Sequence, residues 1–253
     1  MRQGAAAHPA RRGHASSGLC GRRGKMARVV NDQLHEAKRS EILDAAERLV
    51  TTKGYEAMSI QDLLDALRMS KGAFYHYFES KPELLLALVE RRTAVVEEKL
   101  RAIVEAPALS GRDKLLRHFA SVDDWKLAEG RVVTRIVRAC FADENAIVRQ
   151  KLYAAGVARF APLLERILRQ GVAEKDFDTP DPAEAARMIL CLRYDLGRAV
   201  GEALLANAQD DAIDRMAIAT ADAIERLLGA TPGSISRPSR AALAKWRATA
   251  KRQ

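Results

Sequence analysis

SKGAFYHYFESK, Ser70 to Lys81, decides how the rest of this 253-residue chain is read. Ser70 is placed to accept a backbone N–H as an N-cap, and Met69 before it is placed to pack on Phe74 as a hydrophobic staple. The spacing predicts a short, tightly capped helix. On it Phe74 and Phe78 fall four apart and face inward, while Lys71, Tyr75 and His76 point to the other side. That outer face carries groups able to donate to phosphates and base edges. Ser80 and Pro82 then suit the opening turn of another helix.

The preceding text, SIQDLLDALRM from Ser59, predicts a second capped helix. Ser59 is its N-cap, Asp62 completes a capping box, and Ile60, Leu63, Leu64 and Leu67 form one apolar stripe. About three residues separate the two helices, the spacing of a helix-turn-helix whose second helix enters the DNA major groove. The same pattern also fits a plain helical hairpin inside a bundle.

Residues from about 38 to 98 resemble the DNA-binding domain of the TetR family of transcriptional regulators. The likeness rests on an ordered set of positions: Lys53-Gly54-Tyr55 closing a first helix, Ser59 opening the second, then Ser70, Lys71, Gly72, Phe74, Tyr75, Tyr77 and Phe78, and finally Ser80, Lys81 and Leu84. One position departs. The family places Gly in the turn two residues before the Ser, and this chain has Arg68, which incurs strain if the turn requires a positive φ.

The resemblance implies roles for individual residues. Ser59 and Lys81, at the first turns of two helices, would hold the DNA backbone, where free N–H groups and the helix dipole favour a phosphate. Ser70, Lys71, Tyr75 and Tyr77 match the family's phosphate and groove contacts. Gly72 and Ala73 lack bulk and would let the helix start approach base edges, with Ala73 at a thymine methyl. His76 would meet phosphate or base, and Lys38 and Arg39 lie at the end of the first helix expected to face DNA. Lys71 and Lys81 also suit a solvated face, and Tyr75 and Tyr77 also suit a core.

Composition bounds the remaining possibilities. The chain is 48% hydrophobic and 30% charged with few aromatics, and no apolar run approaches a membrane span. Cys20, Cys140 and Cys191 form neither a metal-ligand pattern nor an even framework, which fits a reducing cytoplasm. The formal net charge of +9 sits in the two ends. Setting aside residues 1–30 and 231–253, which hold only basic charges, leaves 29 basic residues against 33 acidic, a net of −4. DNA affinity must then come from where individual cations are placed, with the ends adding only salt-sensitive attraction.

The expected fold is all-α, with a helix-turn-helix three-helix DNA-binding domain over 35–98 and a helical ligand-binding and dimerisation domain over 99–229. Residues 1–34 read as a disordered basic arm, with Met26 as an alternative start, and 230–253 as a disordered basic tail. The first helix is expected over His35 to Lys53, stopped by Gly54. A long helix from Ser80 to about Glu105 follows. Helical periodicity then predicts helices over Arg112–Ala128, Arg131–Ala142, Ala146–Gln170, Pro182–Asn207 and Asp210–Leu228, with Pro162 inside the third. Turns are expected at Gly130, Asp143–Asn145 and Lys175–Asp181. Ile213, Met216, Ala217, Thr220, Ile224 and Leu227 make a stripe on the last helix, and Gly197 and Gly201 fall four apart on the one before. Together they suggest a homodimer surface, or equally an intrachain core.

Phe119, Trp125, Arg138, Tyr153, Arg193 and Tyr194 are the candidate lining of a pocket for an unknown small-molecule effector, although each also suits ordinary packing. Arg193, inside the apolar run MILCLRYDLG, needs a partner: Asp195, another carboxylate or an acidic ligand. The sequence carries no Gly-rich phosphate loop, no His-Glu-x-x-His and no nucleophile elbow, so neither an enzyme nor a metal or other cofactor is expected. The expected function is a dimeric, ligand-relieved repressor of a palindromic double-stranded DNA operator, cytoplasmic and without a membrane partner. The alternative is an all-helical protein-interaction adaptor without specific DNA binding.

Overall fold

The computed structural model describes residues 18–128, 135–136, 139–205 and 210–235, and the regular elements among them are all helices. The chain divides into two compact units, residues 1–42 and 43–253. Helix α1 spans Gly18–Lys53, so it starts well before the expected His35. Its early half carries no clean apolar stripe, which is why periodicity missed it. Arg, Lys, Ala, Met and Leu nonetheless favour helix, and no proline interrupts the run. Residues 1–17 of the expected arm lie outside the described residues.

The elements of the helix-turn-helix follow the local signals. Gly54 closes α1 at φ +88°, a conformation that favours glycine, and its N–H donates to the Val50 carbonyl. Helix α2 (Ile60–Leu67) opens with the predicted capping box: the Asp62 N–H donates to Ser59 Oγ, and the Ser59 N–H donates to the Asp62 carboxylate. Its buried side chains are Leu63 and Leu64. Arg68 then turns the chain at φ 50°, ψ 43°, the left-handed region where a side chain is strained. Helix α3 (Lys71–Tyr75) is capped by Ser70, whose Oγ accepts the Ala73 N–H at 3.2 Å. Ser80 caps the 25-residue helix α4 (Lys81–Glu105), with Pro82 in its first turn.

Beyond it lie α5 (Gly111–Ala128), a 3-10 turn at Asp143–Asn145, α6 (Ala146–Ala173), α7 (Pro182–Leu205) and α8 (Asp210–Leu227). The helix expected over Arg131–Ala142 and the turn at Gly130 fall largely outside the described residues. Helices α4, α5, α6 and α7 enclose a core around Leu100, Leu115, Phe160, Leu164, Ile167 and Ile189. The start of α5 meets the end of α6 through glycine: a Cβ on Gly111 would collide with the Gly171 backbone, and one on Gly171 would collide with the Phe177 ring. Lys114 is buried there, its ammonium donating to the Val104 carbonyl at 2.8 Å in the last turn of α4 and to Gln170 Oε1 at 2.7 Å.

Two further expectations change. Ile213, Ala217 and Ile224 of the α8 stripe are buried inside the chain, the first two with Leu196 and Val200 of α7, so that face is an intrachain core. The basic tail also does not begin at residue 230. Through Ile235 the chain is fastened to α8, because the Glu225 carboxylate, 4% exposed, accepts the N–H groups of Gly233 and Ile235, each at 2.9 Å. A buried carboxylate needs such donors, and the chain after the helix supplies them. Residues 236–253 lie outside the described residues.

Candidate nucleic-acid interface and ligand pocket

The start of α3 presents Ser70, Lys71, Gly72, Ala73, Tyr75 and His76 as exposed residues, while Phe74 and Phe78 are buried beneath them. The Tyr75 ring stands edge-on to Phe74 at 5.5 Å and keeps 42% of its surface exposed. Gly72 is informative because nothing in the fold requires it. Its φ is not positive, and a Cβ built there meets no atom within 4 Å. Its bareness leaves the helix backbone open from outside.

Other expected contacts are engaged within the chain. The Ser59 hydroxyl accepts from the Asp62 N–H and donates to its carboxylate at 2.9 Å. Asp62 also binds Lys53 at 2.6 Å, and chiefly that bond, then the two from Ser59, hold its pKa down to about 2. Lys81 Nζ donates to the Glu56 carbonyl at 3.2 Å and covers the Tyr55 ring at 4.4 Å. Tyr77 is half-buried, edge-on to His76 at 5.3 Å. Lys38, on the earlier unit, pairs with Glu41 at 2.7 Å, and Arg39 beside it is half-buried.

Helix α4 connects this head to the second site. Arg91 binds Asp44 and Glu47 of α1, each at 2.6 Å, and Arg92 also pairs with Glu47. One residue further on, Thr93 accepts from Arg159 of α6 at 3.2 Å and joins the wall of a partly open cavity of about 160 Å³. Val96, Leu100, Phe119, Val122, Phe160 and Leu190 supply its apolar surface. Its remaining polar groups are His118, Arg193 and Tyr194.

Of the six candidate lining residues, Phe119, Arg193 and Tyr194 border this cavity. Tyr153 does not line it. It stands behind Tyr194, ring to ring at 5.4 Å, with its hydroxyl 2.9 Å from Cys191 Sγ. The Trp125 side chain and Arg138 lie outside the described residues. Arg193 is partnered by Asp123 at 2.9 Å, since Asp195 is held by Arg198. The guanidinium also lies 4.8 Å from the Phe119 ring centre. Gly156 was not foreseen: a Cβ there would collide with the Tyr194 hydroxyl, so its absence sets where that ring sits. Burial raises the Tyr194 pKa to about 12. Burial first, then the Arg193 charge, lowers that of His118 to about 4, so its imidazole is neutral near pH 7.

Residues 42–88 match the family model of bacterial regulatory proteins, tetR family. The HTH-type transcriptional regulator EthR of Mycobacterium tuberculosis is 31% identical over 150 residues, covering 58% of this chain and 69% of EthR. The HTH-type transcriptional repressor NemR of Escherichia coli is 29% identical over 90 residues, 36% of this chain. That match spans 45% of NemR, about half its length. Among solved structures, RolR in complex with resorcinol has the same fold, with a TM-score of 0.57 at 18% identity over 88% of this chain and 97% of RolR. A TetR-family transcriptional regulator from Pectobacterium atrosepticum gives 0.55 at 22% identity over 82% and 98%. EthR, NemR and the Pectobacterium atrosepticum protein are named as regulators of transcription. No helix among the described residues is long and apolar enough to cross a membrane.

Proposed function

Because the chain belongs to the TetR family of bacterial regulatory proteins, we propose that it is a cytoplasmic DNA-binding regulator of transcription, a homodimeric repressor released from a palindromic operator by a small-molecule effector. The observation that carries the DNA-binding part is the exposed start of α3, where Gly72 is bare without any steric need inside the fold. A helix start stripped of bulk and flanked by Lys71 and Tyr75 suits close approach to base edges and phosphates. Ser59 and Lys81 contribute to the same surface after exchanging their present partners for phosphate oxygens. Dimerisation sets two such helices about 34–36 Å apart, one DNA turn, and hence calls for a two-fold operator.

Helix α4 is the element through which an effector acts. It carries Thr93, Val96 and Leu100 into the cavity and is clamped to α1 by Arg91 and Arg92 just before them. A ligand that favours one position of α4 over another changes how the heads are held, and operator affinity falls by that difference.

The test is selection of DNA from a random pool, followed by fluorescence anisotropy across a salt series. The wild type is expected to prefer a palindrome and to weaken as salt rises. Lys71→Ala reduces the salt slope by about one. Gly72→Ala leaves folding intact, because its Cβ has open space, yet weakens operator binding at least about ten-fold, the loss of about one good base contact. Equal binding to scrambled DNA, or full affinity in Gly72→Ala, defeats the proposal.

A further inference from the structure

We propose that the cavity bounded by α4, α5, α6 and α7 takes an uncharged, single-ring molecule carrying a hydroxyl group, received by the His118 imidazole. This rests on the reading of that domain as effector-binding and adds the chemical class of the effector.

Size comes first. At about 160 Å³ the cavity is close to the roughly 150 Å³ apolar cavity that accepts benzene, which is room for a single ring. Phe119, Phe160 and Leu190 give it flat apolar walls suited to a ring.

Charge comes next. Arg193 invites an acidic ligand in the sequence, but the fold has already given it Asp123 at 2.9 Å. An incoming carboxylate would have to expel Asp123 or be buried beside it, leaving one anion without a counter-charge. An incoming cation would find the nearest carboxylate already paired and an imidazole that carries no negative charge. The site is electrically balanced before anything enters.

The hydroxyl follows from His118. This residue lines the cavity at 3% exposure, and its Nδ1 has no hydrogen-bond partner among the described residues. A neutral imidazole carries one N–H and one lone pair, and a buried one left unmatched loses its hydration without return. A hydroxyl both donates and accepts, so it serves either tautomer, whereas a hydrocarbon serves neither.

The experiment is calorimetric titration of the full chain, without DNA, with phenol, toluene and benzoate as probes. Phenol is expected to bind at least about ten-fold more tightly than either of the others, the value of one satisfied buried hydrogen bond. In His118→Phe, which keeps a flat ring, phenol falls to the level of toluene. His118→Asn, which keeps a polar atom near the position of Nδ1, recovers part of the preference. Benzoate equal to phenol, no binding of any probe, or a phenol preference surviving in His118→Phe overturns the proposal. The ranking in the wild type decides the matter even if a variant fails to fold. Since DNA is absent, failure here leaves the operator result standing, and a chain that ranks the probes as expected but ignores DNA overturns only the regulator reading.

Discussion

Arg68 shows how a single residue can be read from its neighbours. The turn between α2 and α3 requires φ 50°, a conformation that favours glycine, and the chain meets that need with an arginine. The left-handed conformation costs a non-glycine residue roughly 1–2 kcal/mol, partly offset because glycine loses more freedom on folding. Arg68→Gly is therefore expected to raise stability by up to about 1 kcal/mol, seen as a higher urea midpoint at unchanged m; a lower midpoint refutes the strain. His118 is the opposite case, a residue whose importance lies in burial that the sequence does not display. Its folded pKa of about 4 lies below its ordinary 6.5, so the unfolded chain takes up a proton first as pH falls. The stability linked to it is complete above about 6.5 and declines as pH drops toward about 4. Between pH 7 and pH 5 wild type should lose about 2 kcal/mol more than His118→Phe, measured by denaturant titration at both values. Parallel losses would mean the imidazole is not held neutral by the fold.

At the scale of elements, what could be read and what could not divides by range. The caps at Ser59, Ser70 and Ser80 are local bonds spanning three residues, so sequence spacing locates them, and with them α2, α3 and the start of α4. The apolar stripes likewise set the ends of α4 and α5 to within a residue or so. The stripe on α8 was equally visible, but periodicity identifies a buried face without identifying what buries it, and Leu196 and Val200 of the same chain do so. The partner of Arg193 was obscure for a related reason: Asp123 lies 70 residues away, while Asp195 is adjacent in sequence but engaged by Arg198. The extension past α8 is another non-local bond. Nothing in TPGSI announces structure, yet two of its N–H groups end on Glu225. Replacing that carboxylate by an amide turns one accepting atom into a donor facing a donor. Glu225→Gln should cost about 2 kcal/mol and release the Gly233 and Ile235 amides to rapid hydrogen exchange. Retained protection at Gly233 and Ile235 would show that the segment is held by something else.

At the scale of the whole molecule, setting aside only residues 1–17 and 236–253, which hold nine basic residues and no acid, leaves 33 of the 42 basic residues against 33 acidic, so the folded chain has no net charge to rely on in holding DNA. It must present a few well-placed groups twice, in register, which makes the proposed dimer a condition of tight binding. With Ile213, Ala217 and Ile224 committed inside the chain, a second copy has to use other faces of the last two helices. Among the described residues two large apolar side chains on them are exposed, Met188 at 50% and Ile218 at 41%, and Gly197 has open space at its Cβ position, where another helix can come close. Ile218→Arg puts a charge on that surface without touching the core behind it. Light scattering is expected to show the dimer dissociating at concentrations where wild type stays paired. Operator affinity should fall more than a hundred-fold as one of two half-sites is lost from each encounter, while thermal stability of the isolated chain and titration of the cavity stay as they were. A variant that remains dimeric and binds DNA unchanged would move the interface elsewhere; a monomer that keeps full affinity would refute the two-headed mode of binding itself.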